Sequence, residues 1–253
     1  MIISFANQKG GVGKTTTTLS LASLLADKKR KVLAIDLDPQ SNLTSGVGFD
    51  KTKQYKSSYD ILIGDDPIAS VYTATDIDNL YLVPSHIDLA ASEIELVPKI
   101  SRETILKQKL LALKEDFDYI LIDCPPSLGL LTVNALAASD GIVIPVQCEY
   151  YALEGISQLL NTVHLVQNSL NKNLEIIGVV MTMFDARTKL SYEVVNEVKS
   201  YFKHQIFNTI IPRNIRVSES PSFGKPIDKY DASSVGARSY MELTREFIAR
   251  VEQ

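Results

Sequence analysis

The sequence predicts an α/β fold: one domain built on a mostly parallel, twisted sheet with helices on both faces. Three observations carry this. Short, nearly unbroken apolar runs recur at residues 2–6, 31–36, 80–84, 119–123, 142–146 and 176–183, the pattern of strands buried on both sides. Between most of them lie stretches with apolar residues at helical spacing. The first run also passes through a glycine-rich loop straight into such a helical stretch, the strand–loop–helix order of a phosphate-binding loop.

Composition sets the frame. A chain of 253 residues fits one large domain. An apolar content of 45% and a charged content of 22% are ordinary for a globular protein. The net charge of −4 excludes a molecule that binds polyanions through bulk charge. The charge is uneven, however. Residues 1–180 hold 15 basic and 21 acidic side chains, residues 181–253 hold 11 and 9, which hints at a basic face built late in the chain. Cys124 and Cys148 lie in apolar runs without a C-x-x-C partner, so they read as buried free thiols rather than a disulfide or metal site. With no signal peptide and no apolar run of ~18 residues, a cytoplasmic location is expected. The first strand starts at the second residue, so no segment ahead of it is expected.

Taken in order, the loop Lys9-Gly10-Gly11-Val12-Gly13-Lys14-Thr15-Thr16 comes first. Its glycines let successive N–H groups curl inward around an anion, above the positive end of the following helix. Lys14 supplies a point charge for terminal phosphates, and the Thr15 hydroxyl is placed to ligate Mg²⁺. Gln8 stands where the usual loop has glycine, and Lys9 is an extra cation. The next apolar run ends in Asp36-Leu37-Asp38-Pro39-Gln40, two carboxylates at the carboxyl end of a strand, where open α/β sheets bind ligands. Residues 43–75 read as loops with one short helix. After the strand at 80–84, a long helical stretch, interrupted near Pro98, runs to about residue 114.

The run 119–123 ends in Asp123-Cys124-Pro125-Pro126, a Walker B pattern whose carboxylate faces the phosphate loop and supports Mg²⁺. A strand at 142–146 leads to a helix with Ile156, Leu159, Leu160, Val163, Leu165 and Val166 inside. His86 and His164 show no triad or metal spacing and read as structural. A strand at 176–183 is followed by a helix at 189–203 with Leu190, Val194, Val195, Val198 and Phe202 on one side and Lys199 and Lys203 outside. Residues 209–216 give a last short strand and a basic loop, and residues 218–231 are turn-rich. Tyr240, Leu243, Phe247, Ile248 and Val251 mark the inner face of a closing helix. Its mixed charges suit packing on the body rather than on a membrane. No N-K-x-D guanine-reading motif is present.

The K-G-G-x-G-K-T loop resembles the deviant Walker A loop of the ParA/MinD/NifH group, within the P-loop NTPase-like folds. With the stretches 36–42, 123–127, 184–187 and 211–221 added, the chain resembles the ParA/Soj partition ATPases over nearly its whole length. That resemblance implies ATP and Mg²⁺ as cofactors, and a homodimer formed around ATP in which Lys9 reaches the partner's nucleotide. It implies that Lys14 and Asp123 act with Asp38, which orients the water, and that Thr15, Asp38 and Asp123 serve the metal. Pro212 and Asn214 would border the base. Arg187 and Arg216 match arginines that contact double-stranded DNA without sequence preference, with Lys199 and Lys203 as further basic candidates. A ParB-type partner would stimulate a weak intrinsic hydrolysis, and the protein would be nucleoid-associated. Two alternatives stand beside this: a MinD-like membrane-positioning ATPase, and a small-molecule enzyme similar to dethiobiotin synthetase.

Overall fold

The computed structural model describes residues 1–149 and 152–252. Seven strands are present among them: β1 (Ile2–Phe5), β2 (Val32–Asp36), β3 (Thr73–Ala74), β4 (Leu80–Val83), β5 (Tyr119–Asp123), β6 (Gly141–Gln147) and β7 (Glu175–Thr182). They form one sheet in the order β3-β4-β2-β5-β1-β6-β7. Every pairing is parallel except that of the exposed two-residue β3, which runs antiparallel to β4 and closes that edge. Register decides what this does for a site. Phe5 pairs with Asp123, and Asp36 pairs with Asp123 on the other side. Three strand ends therefore meet at one carboxyl edge, the place where doubly wound sheets bind ligands.

Helices cover both faces, and each apolar run is buried for that reason. On one face α1 (Lys14–Asp27) and α11 (Val235–Val251) pack over Phe5, Ala34 and Leu121, with Leu19, Leu25, Tyr240 and Phe247 fully buried. Each such side chain contributes about 1.5–3 kcal/mol by leaving water. The closing helix thus packs on the body, as its pattern predicts. Helix α1 has almost no polar side. Thr18 and Ser20 are buried, and they return their hydroxyls to the Lys14 and Thr16 carbonyls at 3.0 and 2.7 Å, which removes the cost of burying them. The opposite face is covered by α3 (Ser58–Leu62), α5 (Ile105–Leu110), α6 (Leu130–Ala138) and α7 (Ala152–Ser169).

Several expectations are corrected. Residues 43–75 contain not one short helix but parts of two, α2 (Asn42–Gly46) and α3, together with a 3₁₀ turn at Ile68–Ser70 and β3. The helical stretch before residue 114 is interrupted near Pro98 as expected, into α4 (Leu89–Glu95) and α5. Pro98, which cannot donate a backbone hydrogen bond, sits in the turns between them. The sequence reading assigns no element to α6, whose composition is too uniformly apolar to show a period. Leu165 is 67% exposed rather than inside. Leu190, in the first turn of α8 (Lys189–Phe202), is 40% exposed rather than on its inner side.

The last short strand is reduced to isolated bridges, Val179 with Ile206 and Phe184 with Pro212. Glu246 accepts from the Asn208 and Thr209 N–H groups at 2.8 and 3.0 Å, while the Phe207 and Ile211 N–H groups on either side donate to the Val179 and Met181 carbonyls of β7. Pro212 has no N–H to offer a ladder. The turn-rich segment holds α9 (Ile215–Glu219) and α10 (Ile227–Tyr230). Tyr150 and Tyr151, in the run that follows β6, lie outside the described residues.

Candidate functional site

The phosphate loop joins β1 to α1. Gly11 and Gly13 adopt φ of 74° and 89°, a left-handed region where a side chain is strained, and Gly13 caps α1. The loop is pinned from three neighbouring strand ends. Asn7 Nδ2 donates to the Pro145 carbonyl at 2.7 Å, and its Oδ1 accepts from the Lys9 N–H at 3.0 Å. Thr182 Oγ1, at the end of β7, donates to the Val12 carbonyl at 2.8 Å. Thr15 Oγ1 donates to Asp123 Oδ2 at 2.6 Å. Strain in a loop persists only where its surroundings hold it, and these bonds do so.

A cavity of ≈ 410 Å³ opens over this loop. Gly10, Gly11, Gly13, Lys14, Thr15 and Thr16 line one side. Asp38, Gln40, Asn42, Pro126, Met183 and Pro221 line the rest. Lys14, Asp38, Thr15 and Thr16 are thus brought together as the sequence predicts, with Asp123 beneath them. Pro212 and Asn214 are not on this cavity. Pro212 lines a neighbouring groove with Phe184 and Arg213, and Asn214 caps α9 by accepting from the Val217 N–H at 3.3 Å. Met183 (φ 54°) and Pro221 occupy the corresponding wall of the loop cavity. Only a fold could reveal that, since both residues are far from the loop in sequence and neither type signals chemistry.

Electrostatics at this edge are tense. Lys14 is 6% exposed, and burial lowers its ammonium below the ordinary range against the pull of Asp123 and Asp38. Asp123 is fully buried. Desolvation, and then Asp36 opposite it, push its carboxyl well above the usual value despite the Thr15 hydrogen bond and Lys14. Its Oδ1 is buried with no hydrogen-bond partner. Asp36 is also fully buried and is raised to about 6 by desolvation, although Thr44 and Asp38 donate to it. A cation placed among these carboxylates would relieve that cost. Thr15 Oγ1, Asp38 and the orphaned Asp123 oxygen are hard oxygen donors of the kind Mg²⁺ takes.

Lys9 does not turn into its own cavity. Its Nζ lies 2.6 Å from Glu149 Oε2, in a pair whose side chains are 36% and 49% exposed. The Glu149 carboxylate also accepts from Gln147 Nε2. The signal for this partner was weak in the sequence: one acidic residue after β6 with no motif attached.

The basic candidates separate into two places. Arg187 and Arg213 share a groove of ≈ 550 Å³ with Phe184 and Ile215. Arg187 forks onto Asp185 at 2.7 and 2.9 Å, and that hydrogen-bonded guanidinium holds the Asp185 carboxyl well below the usual range. Arg216, next along, pairs with Glu219 at 3.2 Å and Asp231 at 3.6 Å. Arg213 is exposed, and among the described residues it has no ion-pair partner; it was not singled out from sequence. Lys199 sits in the last turn of α8 and Lys203 just beyond it, both exposed. At 1.5 Å per residue, Lys199 is ~15 Å along the helix from the Arg187 end. No helix among the described residues is long and apolar enough to cross a membrane.

Comparison with known proteins agrees with this arrangement. Residues 1–176 match the family model described as an AAA domain. The chain is 57% identical over 248 residues to the sporulation initiation inhibitor protein Soj of Bacillus subtilis, covering 98% of each. It is 51% identical over 249 residues to the chromosome partitioning protein ParA of Myxococcus xanthus, covering 98% of this chain and 88% of that one. Among solved structures, it superposes with a TM-score of 0.86 on cobyrinic acid a,c-diamide synthase from Mycobacterium smegmatis with bound ADP and magnesium. That pair is 36% identical, with 100% and 96% of the two chains covered. Loop, carboxylate pair, sheet order and near-full-length identity agree: the chain belongs to the Soj/ParA family of partition ATPases.

Proposed function

We propose that this chain is a Mg²⁺-dependent ATPase that pairs around ATP, binds double-stranded DNA without sequence preference when paired, and segregates DNA together with a ParB-type partner. One observation carries the nucleotide part. The glycine nest, Lys14, Thr15 and Asp38 line one cavity, and the Thr15 hydroxyl is bonded to Asp123, whose other oxygen is buried without a partner.

The chain's residues divide the work. The nest N–H groups and Lys14 bind the phosphates and meet the charge that develops on them. Mg²⁺, held by Thr15, Asp38 and Asp123, would neutralise phosphate oxygens in the same place. Asp38, 7% exposed at the cavity rim, orients the attacking water. Lys9 leaves Glu149 and reaches the phosphates of the partner subunit, so pairing completes each site.

The basic rim supplies the DNA contacts. Arg187, Arg213 and Arg216 contact phosphates, and pairing doubles the patch, so ATP raises DNA affinity; Lys199 and Lys203 extend the patch. Such binding is non-specific and weakens steeply with salt. This places the protein in the cytoplasm on the nucleoid. The ParB-type partner accelerates the weak hydrolysis and so releases the DNA.

The synthase likeness supports a second reading, a small-molecule ATP-dependent enzyme. A salt titration of DNA binding, with and without ATP, separates the two. Binding that appears only with ATP and falls with salt supports partition. Equal and negligible binding in both states overturns it.

A further inference from the structure

We propose that Asp36 and Thr44 form a positioning pair for the hydrolytic step, clamping the backbone that presents Asp38 to the phosphate-loop cavity. The inference rests on the ATPase reading above and deepens it. It begins with the two carboxylates of the Asp36-Leu37-Asp38 run, of which only Asp38 reaches the cavity. Asp36 is fully buried at the end of β2, in register with Asp123. A buried carboxylate is expensive unless its oxygens are satisfied. Here each oxygen has a task.

Asp36 Oδ1 accepts from the Asp38 N–H at 3.1 Å. Its Oδ2 accepts from both the N–H and the hydroxyl of Thr44, at 2.8 and 2.7 Å. The Thr44 hydroxyl, which donates to Asp36, accepts in turn from the Ser85 N–H at 2.9 Å. Thr44, like Asp36, is fully buried. Between the two anchors the chain turns tightly. The Ser41 N–H donates to the Asp38 carbonyl at 2.9 Å, and Ser41 takes a left-handed φ of 54°. The Gln40 N–H donates to Asp38 Oδ1 at 2.9 Å, which aims the side chain itself.

The carboxylate therefore ties the strand end, the Asp38 backbone and α2 into one unit, and Thr44 ties that unit to the end of β4 through Ser85. Misplacing a catalytic group by an ångström can cost about 100-fold in rate. Neither Asp36 nor Thr44 lines the cavity, so their effect passes through Asp38.

The test is steady-state ATP hydrolysis, nucleotide affinity and thermal unfolding for four proteins: wild type, Asp36→Asn, Thr44→Val and Thr44→Ser. An amide at position 36 cannot accept from both the Asp38 and Thr44 groups, and valine removes the hydroxyl at constant shape. The expected result for both is a fall of about tenfold or more in kcat with ATP affinity changed less than about threefold. The unfolding temperature of Asp36→Asn should not fall, since losing a buried charge offsets the lost hydrogen bonds. Thr44→Ser, which keeps the hydroxyl, should restore kcat to within about twofold.

Wild-type kcat in Asp36→Asn or Thr44→Val overturns the proposal, as does a loss of kcat that tracks a loss of fold and affinity. If Asp36→Asn does not fold, the serine–valine contrast at Thr44 decides. A wild-type protein that does not hydrolyse ATP refutes the underlying function reading instead.

Discussion

The phosphate-loop edge and the arginine rim lie close in the fold and are built in opposite ways. At the edge, Lys14, Asp36, Asp38 and Asp123 are 7% exposed or less, and hydrogen bonds hold nearly every polar atom. At the rim, the Arg187 side chain is 86% exposed and that of Arg216 56%, the first held by Asp185 and the second by Glu219 and Asp231. The edge meets its ordering and desolvation costs when the chain folds, so it can act on one ligand with fixed geometry. The rim stays solvated and adjustable, which suits a polyanion read only through its phosphates. Substitutions should therefore be severe and specific at the edge, mild and salt-dependent at the rim.

Asp38→Ala should show the largest effect: kcat down about 100-fold, with ATP still bound and pairs still formed. Normal turnover would remove Asp38 from the chemistry. Lys14→Ala should weaken nucleotide binding by about 100-fold, since a charge-assisted hydrogen bond contributes about 3 kcal/mol at most; titration with a fluorescent ATP analogue reads this. The edge should also respond to pH. Asp36 is raised to about 6 by burial, so the folded chain binds its proton more tightly than the unfolded chain does. The Asp36 contribution to the stability of the nucleotide-free protein should then be lost as pH rises from about 4 to about 6, by up to about 3 kcal/mol, and Asp123, which burial also raises, extends the fall to higher pH. Denaturant unfolding across that window checks the sign, and Asp36→Asn should flatten the curve.

Rim changes are smaller. Arg213→Ala, with no ion pair to give up, should weaken DNA binding about tenfold and reduce the salt slope by about one. Arg216→Ala should do less, because Glu219 and Asp231 already share its charge. Equal losses would mean those pairs open freely on DNA. The smallest effect belongs to Glu149→Gln. Exposed ion pairs contribute about 0.2–1 kcal/mol, so freeing Lys9 should lower the ATP concentration needed for pairing by about twofold to fivefold. Sedimentation across an ATP series would detect it, and an unchanged midpoint would show that Glu149 places no restraint on Lys9.

Legibility in the sequence follows the same division. The loop residues 9–16 were readable because glycine, lysine and threonine at fixed spacing form a local device, needing only the strand before and the helix after. Asp123 was readable because it ends an apolar run, and Asp38 because the D-x-D-P-Q stretch after β2 resembles that of the family. Glu149, Asp36 and Thr44 were not assigned roles, since their partners lie 140, 2 and 41 residues away and one such bond leaves no pattern. Helix α6 was missed because burial on all sides erases the period that marks a helix. The break between α4 and α5 was legible from Pro98, whereas the reduction of the last strand to bridges depended on a tertiary pairing that Pro212 cannot complete.

By itself, then, the sequence determined the sheet, the phosphate loop, the Asp38 and Asp123 carboxylates and the family, because each is written in short-range spacing and strand periodicity. Only the tertiary structure decided where Lys9 rests, that Asp36 braces Asp38, and that Met183 and Pro221, not Pro212 and Asn214, line the loop cavity. Those facts depend on which strand ends become neighbours. That choice is made by the packing of two whole helical layers on the sheet, a sum of many small burial terms that no single stretch of sequence displays.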